Sequence, residues 1–218
     1  MRGRPFRRDA RAQERRRFDN VIVREPSPAL QIAKRSIDVL GAGFGLIALA
    51  PLLIGVAIAI KATSRGPVFF RQKRYGYHNR RFWIFKFRTM YTHLEDQRGT
   101  KQTTANDPRI TPLGRFLRKT SLDELPQLIN VLRGDMSLVG PRPVVLAELQ
   151  THYGPAAAAY MAVRPGITGP WQVSGRSDLD YKRRVALDIA YVRNPSLRTD
   201  VRILARTVSV VLRGQGAC

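Results

Sequence analysis

Residues 39–60 read VLGAGFGLIALAPLLIGVAIAI, a run without a single charge. At about 1.5 Å per residue a straight helix of that length reaches roughly 33 Å, enough for the hydrocarbon core of a bilayer. Buried helices of soluble domains rarely run so far without a polar residue, so the stretch predicts contact with a membrane. Two features oppose a straight span. Pro51 lies inside the run, where it removes a backbone donor and crowds the preceding turn, and Gly41, Gly43, Gly45 and Gly55 loosen the helix further. Both flanks are basic, with Lys34 and Arg35 before the run and Lys61, Arg65, Arg71, Lys73 and Arg74 after it. Basic flanks belong on the cytoplasmic side, and only a helix bent back near Ala50 and Pro51 keeps both there. Each arm of such a re-entrant helix is about 15 Å, one leaflet deep. The alternative is a proline-kinked helix that crosses, which membranes tolerate. GAGFGL at 41–46 imitates a dinucleotide-binding loop, but Leu46 stands at its third glycine position and the segment lies inside the apolar run, so that reading fails.

The rest of the chain is strongly basic. With 38 Lys+Arg against 16 Asp+Glu, the net charge of +22 asks for an anionic partner: nucleic acid, anionic lipid or a phosphorylated substrate. No nucleic-acid motif is present, and a nucleic-acid protein would leave the apolar run unexplained. Residues 1–28 read as an arginine-rich flexible arm with too few apolar side chains to offset the entropy of ordering, either a solvated tail or an arm held to anionic lipid headgroups. Cys218, the single cysteine, allows no internal disulfide, and His78, His93 and His152 lack metal-ligand spacing.

Beyond Lys61 the pattern is that of a globular domain. Two aromatic-rich runs around a polar turn at 76–79 predict a β-hairpin, and period-two alternation puts Lys86 and Arg88 on one face, either as a solvated edge or as cations aimed at a phosphate. Residues 91–110 are polar and read as a mobile loop. Leu122, Leu125, Leu128, Ile129 and Leu132 recur at helical spacing before Gly134. A helix is expected from Pro143 to about Val163. Residues 164–176, RPGITGPWQVSGR, are expected to be irregular, and two amphipathic helices follow, separated near Asn194 and Pro195.

In this basic chain Asp123 and Glu124 stand side by side. Ser121 and Glu124 have capping-box spacing, and Asp123 as the cap would put Pro126 at a tolerated position, so helix capping is one account of the pair. The neighbours suggest another. Arg118 and Lys119 precede it, and Arg142 follows between Pro141 and Pro143, which lower the entropy cost of aiming a guanidinium fork at phosphate oxygens. Carboxylates among such donors can hold Mg²⁺ or attack phosphorus directly, and both uses suit phosphoryl transfer.

KRSIDVLGAGFGLIALAPLL, GPVFFRQKRYG, FKFRTM, LRKTSLDELPQLINVLRGDMSLVGPRP, RPGITGPWQVSGR and LDIAYVRNPSLRTDVRILARTV, in that order, resemble the bacterial sugar transferases, the monotopic phosphoglycosyl transferases. The resemblance runs from about residue 32 to the end. It implies an enzyme that moves a sugar 1-phosphate, galactose or glucose, from a UDP-sugar to undecaprenyl phosphate with release of UMP, the first step of an exopolysaccharide. The ending RGQGAC resembles the small exopolysaccharide-initiating members. By the same resemblance Asp123 is the nucleophile of a ping-pong cycle and Glu124 its partner, both also placed at Mg²⁺. Lys86, Arg88, Arg118 and Arg142 are phosphate-binding, and Gln172 and Arg176 contact substrate. The helix break falls at Ala50 and Pro51, with alanine where relatives commonly have serine. The expected fold is α+β, mainly α: the arm over 1–28, a re-entrant membrane helix over 29–62 and a cytosolic catalytic domain with a β-hairpin over 63–218. The expected location is the cytoplasmic face of the inner membrane, with a homo-oligomer left open.

Overall fold

The apolar run forms two helices. In the computed structural model, which describes residues 26–95, 104, 107–175 and 179–213, α1 spans Pro28–Ala48 and α2 spans Ala50–Thr63, bent by 62° at the break. Ser27 starts α1 by accepting the Leu30 N–H, with Pro28 in the first turn where no N–H is needed. The break lies at Leu49, one residue before the expected Ala50 and Pro51. The reason is local: Pro51 is tolerated in the first turn of α2, so the ladder has to be interrupted upstream of it. Among the described residues no single helix is long and apolar enough to cross a membrane, and only the bent pair is so by length and composition together.

Both ends of this pair are fastened to the same domain. On α1, Lys34 donates to the Val139 carbonyl at 2.9 Å and pairs with Asp200 at 2.6 Å, Arg35 donates to the Val131 and Leu132 carbonyls, and Asp38 accepts from Ser137 Oγ and Leu138 N. A Cβ on Gly41 would lie 2.8 Å from Leu138 Cδ1, and one on Gly45 3.3 Å from Leu128 Cδ1. These two glycines let α1 approach the domain closely; Gly43 and Gly55, with nothing within 4 Å, do not share that role. At the far end Ile60 is buried with Phe87 and Leu117. Between the two attachments Leu40, Phe44, Ile47, Leu52, Ile54 and Ile58 are exposed.

The hairpin forms as expected, β1 (Phe69–Tyr75) antiparallel to β2 (Arg81–Phe87), with Phe70 opposite Lys86, Gln72 opposite Ile84 and Arg74 opposite Phe82. Helix α3 (Pro112–Lys119) is capped by Thr111 Oγ1 on Gly114 N–H. A 3₁₀ segment, Leu122–Gln127, then leads into α4 (Leu128–Arg133), which ends at Gly134 in the left-handed region. Phe82, Ile84, Leu128, Val131 and Met136 bury the hairpin against α4 and Ala42 of α1.

Three expectations fail here. Residues 143–163 are not one helix: after Val145, three residues of α-helix, a π turn, a 3₁₀ turn at Gly154–Ala156 and a four-residue helix follow one another, because Gly154 has a positive φ and Pro155 cannot continue a ladder. Residues 164–176 are not wholly irregular: β4 (Gly166–Thr168) pairs in parallel with β3 (Ser137–Val139). A three-residue strand bounded by glycine and proline leaves no periodicity to read. Neither Ser121 nor Asp123 caps a helix by its side chain. Ser121 has φ 58° instead, and the chain enters the 3₁₀ segment through that turn. Helices α5 (Tyr181–Arg193) and α6 (Leu197–Arg213) close a second core with Tyr153, Tyr160, Val185, Ile189 and Ile203. The expectations for the arm up to residue 25, for half of the 91–110 loop and for Arg176 fall outside the described residues.

Candidate active site

The inner face of the hairpin meets the 3₁₀ segment. Alternation along β2 turns Phe82, Ile84 and Lys86 inward, and the turn at Ser121 swings Asp123 and Glu124 against them. A non-glycine residue in the left-handed region costs about 1 kcal/mol or more, an expense often met at functional sites. Lys86 Nζ donates to Glu124 Oε1 at 2.6 Å, and Arg142 Nη1 stands 3.7 Å from the same oxygen. Asp123 is buried, at 8% exposure.

Arg142 reaches the pair from the loop after β3. Gly140 N–H donates to the Thr168 carbonyl and Gly166 N–H to the Pro141 carbonyl, so the β3–β4 pairing holds the Gly-Pro-Arg-Pro backbone. A Cβ on Gly169 would fall 2.0 Å from the Gly140 carbonyl oxygen, a proximity only glycine permits. The Arg142 guanidinium lies 5.6 Å from the centre of the Trp171 ring, and Arg184 lies 4.7 Å from the same ring. Arg118, in the last turn of α3, donates from Nε to Thr89 Oγ1.

The electrostatics follow from burial among charges. Burial pushes the Asp123 carboxyl up, to about 6; Glu124 pushes the same way, while Lys86, Arg118 and Arg142 pull it down. Burial lowers Lys86 against the pull of Glu124, and lowers Arg118 against that of Asp123. For Arg142 burial acts downward, but Glu124, Glu148 and Asp123 together hold it above the usual range. A carboxylate set among cations can attack an electrophilic phosphorus or hold a cation beside an anionic substrate.

Of the residues singled out in the sequence, Asp123, Glu124, Lys86, Arg118 and Arg142 come together. Arg88 does not join them. It is buried at 2% exposure, and its guanidinium donates to the carbonyls of Ser64 and Arg65, to Ser64 Oγ and to Thr92 Oγ1. It ties the end of α2 to the hairpin. Gln172, next to Trp171, donates from Nε2 to the Ile167 carbonyl at 3.3 Å. Two lining residues were not singled out: Arg74 and Gln127 share a cleft with Ile84, Lys86, Glu124, Arg142, Pro143 and Ile167. Arg74 pairs with Glu148 at 3.6 Å and donates to the Pro143 carbonyl, and burial lowers its guanidinium to about 10. The period-two rule that flagged Lys86 would have found Arg74, had it been applied to β1 as well.

Among the described residues no group of three or more His, Cys, Asp or Glu is placed to hold a metal ion. Mg²⁺ asks for less, one or two carboxylates with phosphate oxygens and water completing its shell. Asp123 and Glu124, whose mutual repulsion helps raise Asp123, fit that smaller requirement.

Over residues 29–214 the chain matches the sequence model of the family described as Bacterial sugar transferase. It is 43% identical over 201 residues to the exopolysaccharide production protein ExoY of Rhizobium meliloti, covering 85% of this chain and 88% of that one. It is 48% identical over 202 residues to the undecaprenyl-phosphate glucose phosphotransferase of Komagataeibacter xylinus, covering 86% of this chain and 37% of the relative. With the undecaprenyl-phosphate galactose phosphotransferase of Salmonella typhimurium the identity is 43% over 217 residues, 92% of this chain and 44% of the other.

Proposed function

The chain belongs to the bacterial sugar transferase family, and on that premise we propose that it transfers a hexose 1-phosphate from a UDP-sugar to undecaprenyl phosphate at the cytoplasmic face of the inner membrane. The observation that carries this reading is Asp123 itself: a buried carboxyl, beside Glu124, among Lys86, Arg118 and Arg142.

The reaction follows from those groups. The diphosphate of the donor is drawn to Lys86, Arg118, Arg142 and Arg74, whose charges offset its own. An Asp123 carboxylate oxygen attacks the β-phosphorus. A new P–O bond forms to Asp123, the P–O bond to the bridging oxygen breaks, and UMP leaves with that electron pair. An oxygen of the polyprenyl phosphate then attacks the same phosphorus, the Asp123–phosphorus bond breaks, and the carboxylate is restored. Glu124, held by Lys86, keeps that lysine oriented toward the phosphoryl oxygens. Mg²⁺, held by Asp123 and Glu124, would supply further neutralisation of phosphate charge.

The bent pair supports re-entrant attachment. Its two ends are fixed to one domain, and the large apolar side chains between them are exposed. Removing each from water is worth roughly 1.5–3 kcal/mol, and one leaflet of lipid would do so while the domain stays on one side.

The test is to incubate the protein with a panel of UDP-sugars and no acceptor. The expected result is a hexose phosphate on the peptide bearing Asp123, detected by mass spectrometry, together with exchange of labelled UMP into the UDP-sugar that is used. Turnover with lipid acceptor but without adduct or exchange would mean single-step transfer, with Asp123 only binding.

A further inference from the structure

Gln127 closes the 3₁₀ segment three residues after Glu124 and is 1% exposed. Its Nε2 is buried and, among the described residues, has no hydrogen-bond partner. The residue lines the same cleft as Arg74, Lys86, Glu124 and Arg142. A buried amide nitrogen without an acceptor destabilises the fold that holds it, and a leucine or methionine would fill the volume without that penalty. We propose that Gln127 is a substrate-binding residue whose amide donates to a nonbridging oxygen of the phosphoryl group that passes through this site. The inference rests on the phosphoglycosyl-transfer reading and adds to it a neutral donor that no charge pattern marks.

Position selects this ligand. Glu124, Lys86, Arg142 and Arg74 supply the charged lining, Ile84, Pro143 and Ile167 the apolar lining, and Gln127 joins them one turn from Glu124. An anion held by those cations brings acceptor oxygens to the donor. Because the phosphoryl group is common to donor and acceptor half-reactions, a contact to it is felt in both. A contact to the uridine or to the polyprenyl chain is felt in one.

The experiment uses the full chain in detergent micelles, comparing wild type with Gln127→Met and Gln127→Glu. Three quantities are read: the thermal midpoint without substrate, kcat/KM for UMP exchange into the UDP-sugar that wild type uses, and kcat/KM for undecaprenyl phosphate. Gln127→Met is expected to keep or raise the midpoint while both kcat/KM values fall about ten- to a hundredfold. Gln127→Glu, which sets a negative charge against the phosphoryl oxygens, is expected to lose more in both. Wild-type kinetics in Gln127→Met, a kinetic loss accompanied by a clear drop in midpoint, or a loss confined to one half-reaction would each overturn the assignment. Failure of the parent reading looks different: wild type itself would then exchange no UMP with any UDP-sugar, and the inference would fall with it.

Discussion

Asp123 and Asp188 are both buried carboxyls, and burial raises both, to about 6 and about 7. Their surroundings differ. Asp123 is buried next to Glu124, with Lys86, Arg118 and Arg142 all acting on its carboxyl. Asp188, at 0% exposure, is in the helical core, where Tyr153 donates to its Oδ2 at 2.7 Å and its Oδ1 has no partner among the described residues. A perturbed carboxyl is therefore not by itself a functional signal. What separates the two is the company of cations: Lys86, Arg118 and Arg142 act on Asp123, whereas Asp188 meets the Tyr153 hydroxyl.

The sharpest way to break this contrast is Asp123→Asn. Transfer and UMP exchange are expected to fall by about 10⁴-fold or more, with the thermal midpoint unchanged or higher, since the variant removes a charge that burial disfavours. Retained turnover in the purified variant would put Asp123 in the same class as Asp188. Next in size is Arg142→Ala, expected to lower kcat/KM for the UDP-sugar about 10²- to 10³-fold while expression and midpoint stay close to wild type, because this side chain is 37% exposed. Normal kinetics would remove it from the site.

The smallest effect separates the two acids by pH. Burial favours protonated Asp188, so the folded chain takes up a proton there that the unfolded chain, near 3.8, has released. The resulting stability is complete below about pH 4 and is lost as the pH rises through about 7. At 1.36 kcal/mol per unit this is a few kcal/mol at most. Asp188→Asn should flatten the decline in thermal midpoint between about pH 4 and about pH 7 and leave activity within a few-fold of wild type. Activity should instead rise with pH through about 6 as Asp123 ionises, in wild type and in Asp188→Asn alike. A midpoint profile identical in wild type and Asp188→Asn would remove Asp188 as the source of the slope.

Much was legible in one dimension because it depends on local pattern. The apolar run and its proline announced a bent helix, and the break lies at Leu49, within two residues of Pro51. Aromatic alternation announced the hairpin, and Lys86 faces the carboxylates as period two requires. The same rule placed Arg88 beside Lys86, but face alone could not say what Arg88 would meet. At the end of the strand it encounters the last carbonyls around α2 instead of the cleft.

The amino-acid order by itself determined the bent apolar helix pair, the hairpin, the amphipathic helices α5 and α6 and the paired acids within a basic chain, because each is set by neighbours a few residues away. Tertiary structure alone decided which cations converge on Asp123 and Glu124, that a parallel pair of three-residue strands holds Arg142, and that Lys34, Arg35 and Asp38 fasten α1 to the domain. Those contacts join residues from 18 to 166 positions apart. A hydrogen bond across such a distance depends on how separate elements pack, and nothing in either local segment encodes the other's position.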